Sequence, residues 1–246
     1  MAAYGLAAYG DGPTIELLEQ NNADTSASAR TYAVEMCKSQ GIALTGQGAH
    51  FVSEGQALFR DIEASIKNCI PAEGRTSDLI VTSYDNHPDG DFTLVLTALF
   101  QTGRPVLLLP ARSVPIISDT GYAQSIAVAW DGSVSAARAL RDAVPHMSKA
   151  RDVYVLTVED TNDNQIAIKE ADLLSYLDCH DVQAQVLCAE RGNQGIGAAL
   201  LDEVNRLQAG LLVMGAYGRG HIGEMIVGGA TDYVLKHSQV PLLLVH

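Results

Sequence analysis

The sequence predicts an α/β protein made of two open-sheet, doubly wound parallel domains, and three observations carry that prediction. Short apolar strands alternate with helical stretches from Gln124 to the C-terminus. Those strands are apolar at nearly every position, as strands covered on both faces of a parallel sheet are. The closing strand, helix and strand also occur once before, between Asp78 and Pro110, so the chain reads as a repeat. A length of 246 residues suits two ordinary domains, each with its own core.

In the second half, "SIAVAWD" (125–131) is a short apolar run ending in a turn. "GSVSAARALRDAVPHM" (132–147) has Val134, Ala137, Leu140, Val144 and Met147 at helical spacing, with Ser133 as N-cap. "DVYVLTVED" (152–160), rich in β-branched residues, reads as a buried strand, "QIAIKEADLLSYLDCH" (165–180) as a helix and "VQAQVLCAE" (182–190) as extended chain. "IGAALLDEVNRLQAG" (196–210) puts Ile196, Leu200, Val204 and Leu207 on one helix face and stops at Gly210. The strand "LLVMGAY" (211–217), a glycine-rich turn, a helix at Thr231–His237 and the strand "PLLLVH" (241–246) complete the half.

The first half matches in kind but is shorter. Leu79-Ile80-Val81 aligns with Leu211-Leu212-Val213, and "PVLLLP" (105–110) with "PLLLVH". The interval from Leu79 to Pro105 is 26 residues and that from Leu211 to Pro241 is 30, so the first copy lacks four residues where the second has its glycines. Upstream, "YGLAAYG" (4–10) and "AHFVSE" (49–54) read as strands, and "SASARTYAVEMCKSQ" (26–40) and "QALFRDIEASIKNCI" (56–70) as helices. Nothing before Tyr4 corresponds to "SIAVAWDGSVSAARALRDAVP", so the first domain is expected to lack its first strand and helix. Domains are expected at residues 1–120 and 121–246. The two closing strands are expected to pair near Leu107 and Leu243, because each would otherwise be an exposed apolar edge.

Composition narrows the function. The net charge of −13 repels a long phosphate backbone, so nucleic acid is not expected as a partner. No apolar run approaches the roughly 18 residues of a membrane-spanning helix. The start "MAAYGLAAYGDG" has no basic region before its apolar residues. A cytoplasmic location without membrane association is the expectation. Cys37, Cys69, Cys179 and Cys188 form no CxxC and read as reduced structural thiols. "DCHD" (178–181) resembles a metal cluster only in composition, because adjacent side chains diverge; it reads as a helix end.

Six glycines, at 215, 218, 220, 223, 228 and 229, lie within fifteen positions after a strand. The spacing Gly215-x2-Gly218-x9-Gly228, with Thr231 in the next helix, makes a workable anion cradle of backbone N–H groups at a helix N-terminus. It equally suits tight turns and close packing of a helix on the sheet. No GxxxxGK[ST] occurs, which excludes a P-loop. "GNQGIG" (192–197) follows the third strand of its repeat and lacks the dinucleotide spacing, so it reads as a plain loop.

"VAWDGS" (128–133), "VLTV" (155–158), "LLVMGAYGRG" followed by "GGAT" (228–231), and "VPLLLVH" (240–246) together resemble the universal stress protein family in its tandem form. The resemblance is good from about Gln124 to His246 and weaker before it. It implies an adenine nucleotide alpha hydrolase-like fold with ATP or AMP as ligand, and allows Mg2+ to accompany the phosphates. By the same resemblance Asp131 meets the adenosine part and the backbone at Val158 meets adenine. Gly215, Gly218, Gly228 and Gly229 surround ribose and phosphates, and Thr231 supplies a hydroxyl. Arg219 and His221 would compensate if they turn inward. One position departs: Gly229 stands where nucleotide-binding members carry Ser or Thr, a hydrogen bond to a charged group worth about 1.5–3 kcal/mol. Each residue has a plain structural alternative: Asp131 as a helix cap, Thr231 bonded to its own helix, Arg219 and His221 solvated.

The expected function is adenine nucleotide binding by the second domain in a regulatory or protective stress response, the first domain being a degenerate partner. The resemblance implies that the missing first strand is central, which leaves hydrogen-bonding edges unpaired. A homodimer that supplies the pairing is the favoured expectation, beside direct closure of "YGLAAY" on "DLIVTSY" and a start lying further upstream. No nucleophile elbow, HExxH or carboxylate cluster marks a catalytic centre. The rival expectations are a ligand-free interaction protein and an enzyme of related architecture, either a slow ATP hydrolase or a nucleotide-dependent oxidoreductase.

Overall fold

The computed structural model describes residues 12–45, 55–84, 91–111, 124–158, 170–217 and 229–246. The elements in chain order are α1 (Gly12–Ser39), β1 (Ala43–Thr45), β2 (Gln56–Leu58), α2 (Ile66–Gly74), β3 (Ile80–Tyr84), α3 (Thr93–Gln101), β4 (Val106–Pro110) and β5 (Ser125–Ala129). There follow α4 (Val134–Met147), β6 (Asp152–Val158), α5 (Glu170–Asp178), β7 (Ala184–Ala189), α6 (Ile196–Arg206), β8 (Leu211–Gly215), α7 (Ala230–His237) and β9 (Leu242–Val245). The chain divides into two compact units, Met1–Ala64 and Ser65–His246.

The first unit holds α1 and a two-stranded parallel sheet in which Ala43 pairs with Gln56 and Thr45 with Leu58. The second holds a seven-stranded sheet in the order β3-β4-β9-β8-β5-β6-β7. Every neighbouring pair in it is parallel except β4 and β9. Strands β5 and β9 are buried along their whole length, as the apolar runs require. One face of the sheet packs on Leu140, Ala143 and Met147 of α4 and on Leu173 and Leu177 of α5. The other packs on Val95 and Leu99 of α3, Leu200 and Val204 of α6 and Val234 and Leu235 of α7.

Strands β4 and β9 meet about a local two-fold. In the antiparallel pair Leu107 lies opposite Leu243, while Val106 meets Leu244 and Leu108 meets Leu242. Leu107 and Leu243 are aligned positions of the two copies, so the axis passes between them. The next strands out keep the same register, with Ile80 beside Val106 and Leu212 beside Leu242. Beyond β8 the sheet continues through β5, whereas β3 has a strand on only one side among the described residues. Val81 is 55% exposed where its aligned partner Val213 is fully buried, because α4 covers that face over β8 and no described helix does so over β3.

The structure differs from the sequence reading in several places. The compact units meet at 64/65, because β3 and β4 hydrogen-bond into the second half's sheet; the expected domains, 1–120 and 121–246, are divisions of the sequence and not of these contacts. Gln56–Leu58, read as the start of a helix, is a strand bonded to β1, and the helix begins only at Ile66. The buried face of α4 is Ala136, Ala139, Leu140, Ala143 and Met147; Val134 is 69% exposed and Ala137 is exposed too. Three alanines on that face let the helix axis approach the sheet, which a stripe starting at β-branched Val134 would prevent. The cysteines are free as expected, but none is fully buried. "DCHD" does end a helix: α5 stops at Asp178, and Asp181, at φ 57, donates its N–H to the Asp178 carbonyl. The segments "YGLAAYG" and "AHFVSE" lie outside the described residues.

Candidate functional site

Strand order reverses between β5 and β8. From β5 the chain runs outward through β6 to β7, then α6 carries it back past β5 to β8 on the other side. In open α/β sheets the crevice beyond the carboxyl ends of such neighbouring strands is where ligands bind. Here the two ends run level, with Ala129 beside Met214. Asp131 lies two residues beyond β5, and Gly215 closes β8.

One wall is the start of α4. Asp131 is exposed, and its Oδ1 accepts the Ser133 N–H at 2.9 Å. Ser133 is the N-cap, its Oγ accepting the Ala136 N–H at 3.1 Å, and it lies 3.0 Å from the Ser135 Oγ. This helix start presses on β8. A Cβ at Gly215 would come within 2.5 Å of the Ala136 nitrogen and the Ser135 carbonyl carbon. Glycine is needed there for close packing, which is the structural member of the two sequence-level alternatives.

The opposite wall is the start of α7. Its N-cap, Gly229, is fully extended at φ −179, and no side chain caps the helix. Among the described residues a Cβ at Gly229 would meet nothing within 4 Å, and its extended backbone does not demand glycine. Thr231 is buried, and its Oγ1 accepts the Tyr217 N–H at a long 3.5 Å. Asp232 in the first turn pairs with Lys236 at 3.0 Å. Burial pushes the Tyr217 phenol above its ordinary pKa, and the Asp232 carboxylate adds to the shift.

Asp131 after β5, Gly215 at the end of β8, and Gly229 and Thr231 at the start of α7 all lie at the carboxyl end of the sheet. Val158, the last residue of β6 and half-buried, ends at the same edge. Gly218, Arg219 and Gly228, with His221, lie outside the described residues. "GNQGIG" is a turn and helix start: Gly192 has φ 54, Gly195 is the N-cap of α6, and Gly197 lies where a Cβ would meet the Ala230 carbonyl oxygen at 2.8 Å. Its glycine serves the approach of α6 to α7. Sequence reasoning missed Ser135 and Tyr217. The paired hydroxyls two residues apart at a helix start were a signal for the first. The second, at φ 54 without being glycine, left no signal in sequence.

A family model described as "Universal stress protein family" matches residues 123–246. The chain belongs to that family. No curated protein matches it significantly. Among solved structures, a universal stress protein from Archaeoglobus fulgidus DSM 4304 is 19% identical with a TM-score of 0.59, covering 78% of this chain and 70% of its own. A protein of Pseudomonas aeruginosa UCBPP-PA14, described under the same family name, is 14% identical with a TM-score of 0.54, covering 89% of this chain and 77% of its own. At these identities the likeness is one of fold.

Proposed function

We propose that the second half binds an adenine nucleotide, ATP or AMP, in the crevice between the ends of β5 and β8, and that the role is regulatory or protective. The observation that carries this reading is the convergence of Asp131, the Ser133 and Ser135 hydroxyls and the start of α7 at the point where strand order reverses. The residues present suit such a ligand unevenly. Asp131 and the chain end at Val158 offer polar groups for a nucleoside. On the phosphate side the first amides of α7 have no side-chain cap among the described residues, which favours an anion, while Asp232 in that turn opposes one. Any Mg2+ would be held chiefly through the phosphates, the usual mode for this ion. In the same reading the first copy, residues 1–120, is a degenerate domain without a nucleotide, and the chain works as a cytoplasmic homodimer.

Calorimetric titration with ATP, AMP and NAD tests the proposal. One equivalent of ATP or AMP per chain and no NAD is the expected result; two equivalents would contradict a degenerate first copy. Silence with all three would favour a second reading, a ligand-free interaction protein. Two observations support that alternative: Gly229 carries no hydroxyl, and Gly215 is already accounted for by packing. Sedimentation at micromolar concentration checks the dimer, and a 26.1 kDa species alone would refute it.

A further inference from the structure

We infer that Phe100, near the end of α3, is a positioning residue for the crevice: its ring braces Tyr217 and His246, so the first copy supplies a support that the second copy's site depends on. The Phe100 ring lies 5.3 Å from that of Tyr217, tilted by 46°, and 4.6 Å from that of His246 in an edge-on arrangement. Both are favourable aromatic geometries. They exist because β4 runs antiparallel to β9: α3 delivers the chain to the start of β4, and Val106 there lies opposite Leu244, two residues before the terminal histidine.

The core does not require an aromatic residue at this position. Phe100 is 46% exposed, and the aligned position in the second copy, five residues before the shared proline, is Lys236. Tyr217, by contrast, needs restraint. It is a non-glycine residue in the left-handed region at φ 54, a conformation that persists only where the surroundings hold it. Its N–H bond to Thr231 Oγ1 is long at 3.5 Å, and the Phe100 ring adds a side-chain contact to that weak restraint. His246 ties the cluster to the backbone through Nδ1 and the Ala216 carbonyl at 3.1 Å, and Arg138 of α4 donates to the His246 carbonyl at 3.3 Å. The three rings thus connect α3 to the exit of β8 and, through Arg138, to α4, whose start forms one wall of the crevice.

The affinity readout rests on the nucleotide reading above, so the experiment carries a second arm that does not. In the full-length chain, Phe100→Ala and Phe100→Lys are expected to weaken ATP or AMP binding about three- to tenfold with little change in melting temperature, and Phe100→Tyr to restore it. Wild-type affinity in both damaging variants, or failure of Phe100→Tyr to restore it, would overturn the inference. Hydrogen exchange at the Tyr217 and His246 amides is measured in parallel without nucleotide. Faster exchange at these amides in Phe100→Ala than in the unaltered chain supports the brace even if the unaltered chain binds no nucleotide, an outcome that would sink the nucleotide reading alone. Unchanged exchange at both amides overturns the brace.

Discussion

A methyl group added at Gly215 would stand 2.5 Å from two backbone atoms of α4, neither of which can rotate away. Gly215→Ala should therefore push α4 off β8 and cost about 1–3 kcal/mol, read as a lower urea midpoint at unchanged slope. A midpoint within error of the unaltered chain would mean that the helix start is far more compliant than its capping suggests. Gly229 is the opposite case, with no described neighbour within 4 Å of an added Cβ and an extended backbone that any residue adopts. Gly229→Ser should change stability by only a few tenths of a kcal/mol, since glycine is already a tolerable N-cap. If the crevice takes a nucleotide, the same substitution should tighten binding by about 10- to 100-fold, the value of one hydrogen bond to a charged group. Equal affinity of the two proteins for ATP would dismiss Gly229 as a functional departure. The Asp131 carboxylate is already engaged by the Ser133 N–H.

Strand pairing gives the element scale its clearest test. Leu107 and Leu243 face each other across the only antiparallel junction of the sheet among the described residues, and both are buried. Cysteines substituted at both positions, in a chain whose four native cysteines are replaced by serine, should form an intramolecular disulfide on mild oxidation. A shifted pair, such as Leu107 with Leu244, should link poorly, and efficient linking there instead would mean a slipped register. Helix contacts follow a similar logic of small residues. Gly197 lets α6 approach the Ala230 carbonyl, and the alanines of α4 bring that helix close to β8.

For the whole molecule, the joining of β4 to β9 decides which pieces stand alone. A fragment of residues 65–246 retains all seven strands, whereas one of residues 121–246 bares the Leu242–Leu244 edge. The shorter fragment should self-associate through β9, because an apolar edge with free hydrogen-bonding groups recruits another strand. Sedimentation of both fragments checks this; a strictly monomeric 121–246 fragment at micromolar concentration would show that the edge is better protected than its composition implies. No helix among the described residues is long and apolar enough to cross a membrane.

The sequence by itself determined the α/β class and the positions of most elements in the second half. Those are properties of periodicity and spacing, and they survive without knowing what lies across the sheet. Even the pairing of Leu107 with Leu243 was legible, since two copies of one apolar edge strand invite each other. Tertiary structure alone decided three matters. It set the rotation of α4, because the approach allowed by Gly215 outweighs the apolar stripe that begins at Val134. It joined the late strands of the first copy to the second half's sheet, moving the compact boundary to 64/65. It also brought Phe100 against Tyr217 and His246, a contact between residues more than a hundred positions apart. Each depends on distances between segments remote in sequence, and local propensity carries no record of those distances.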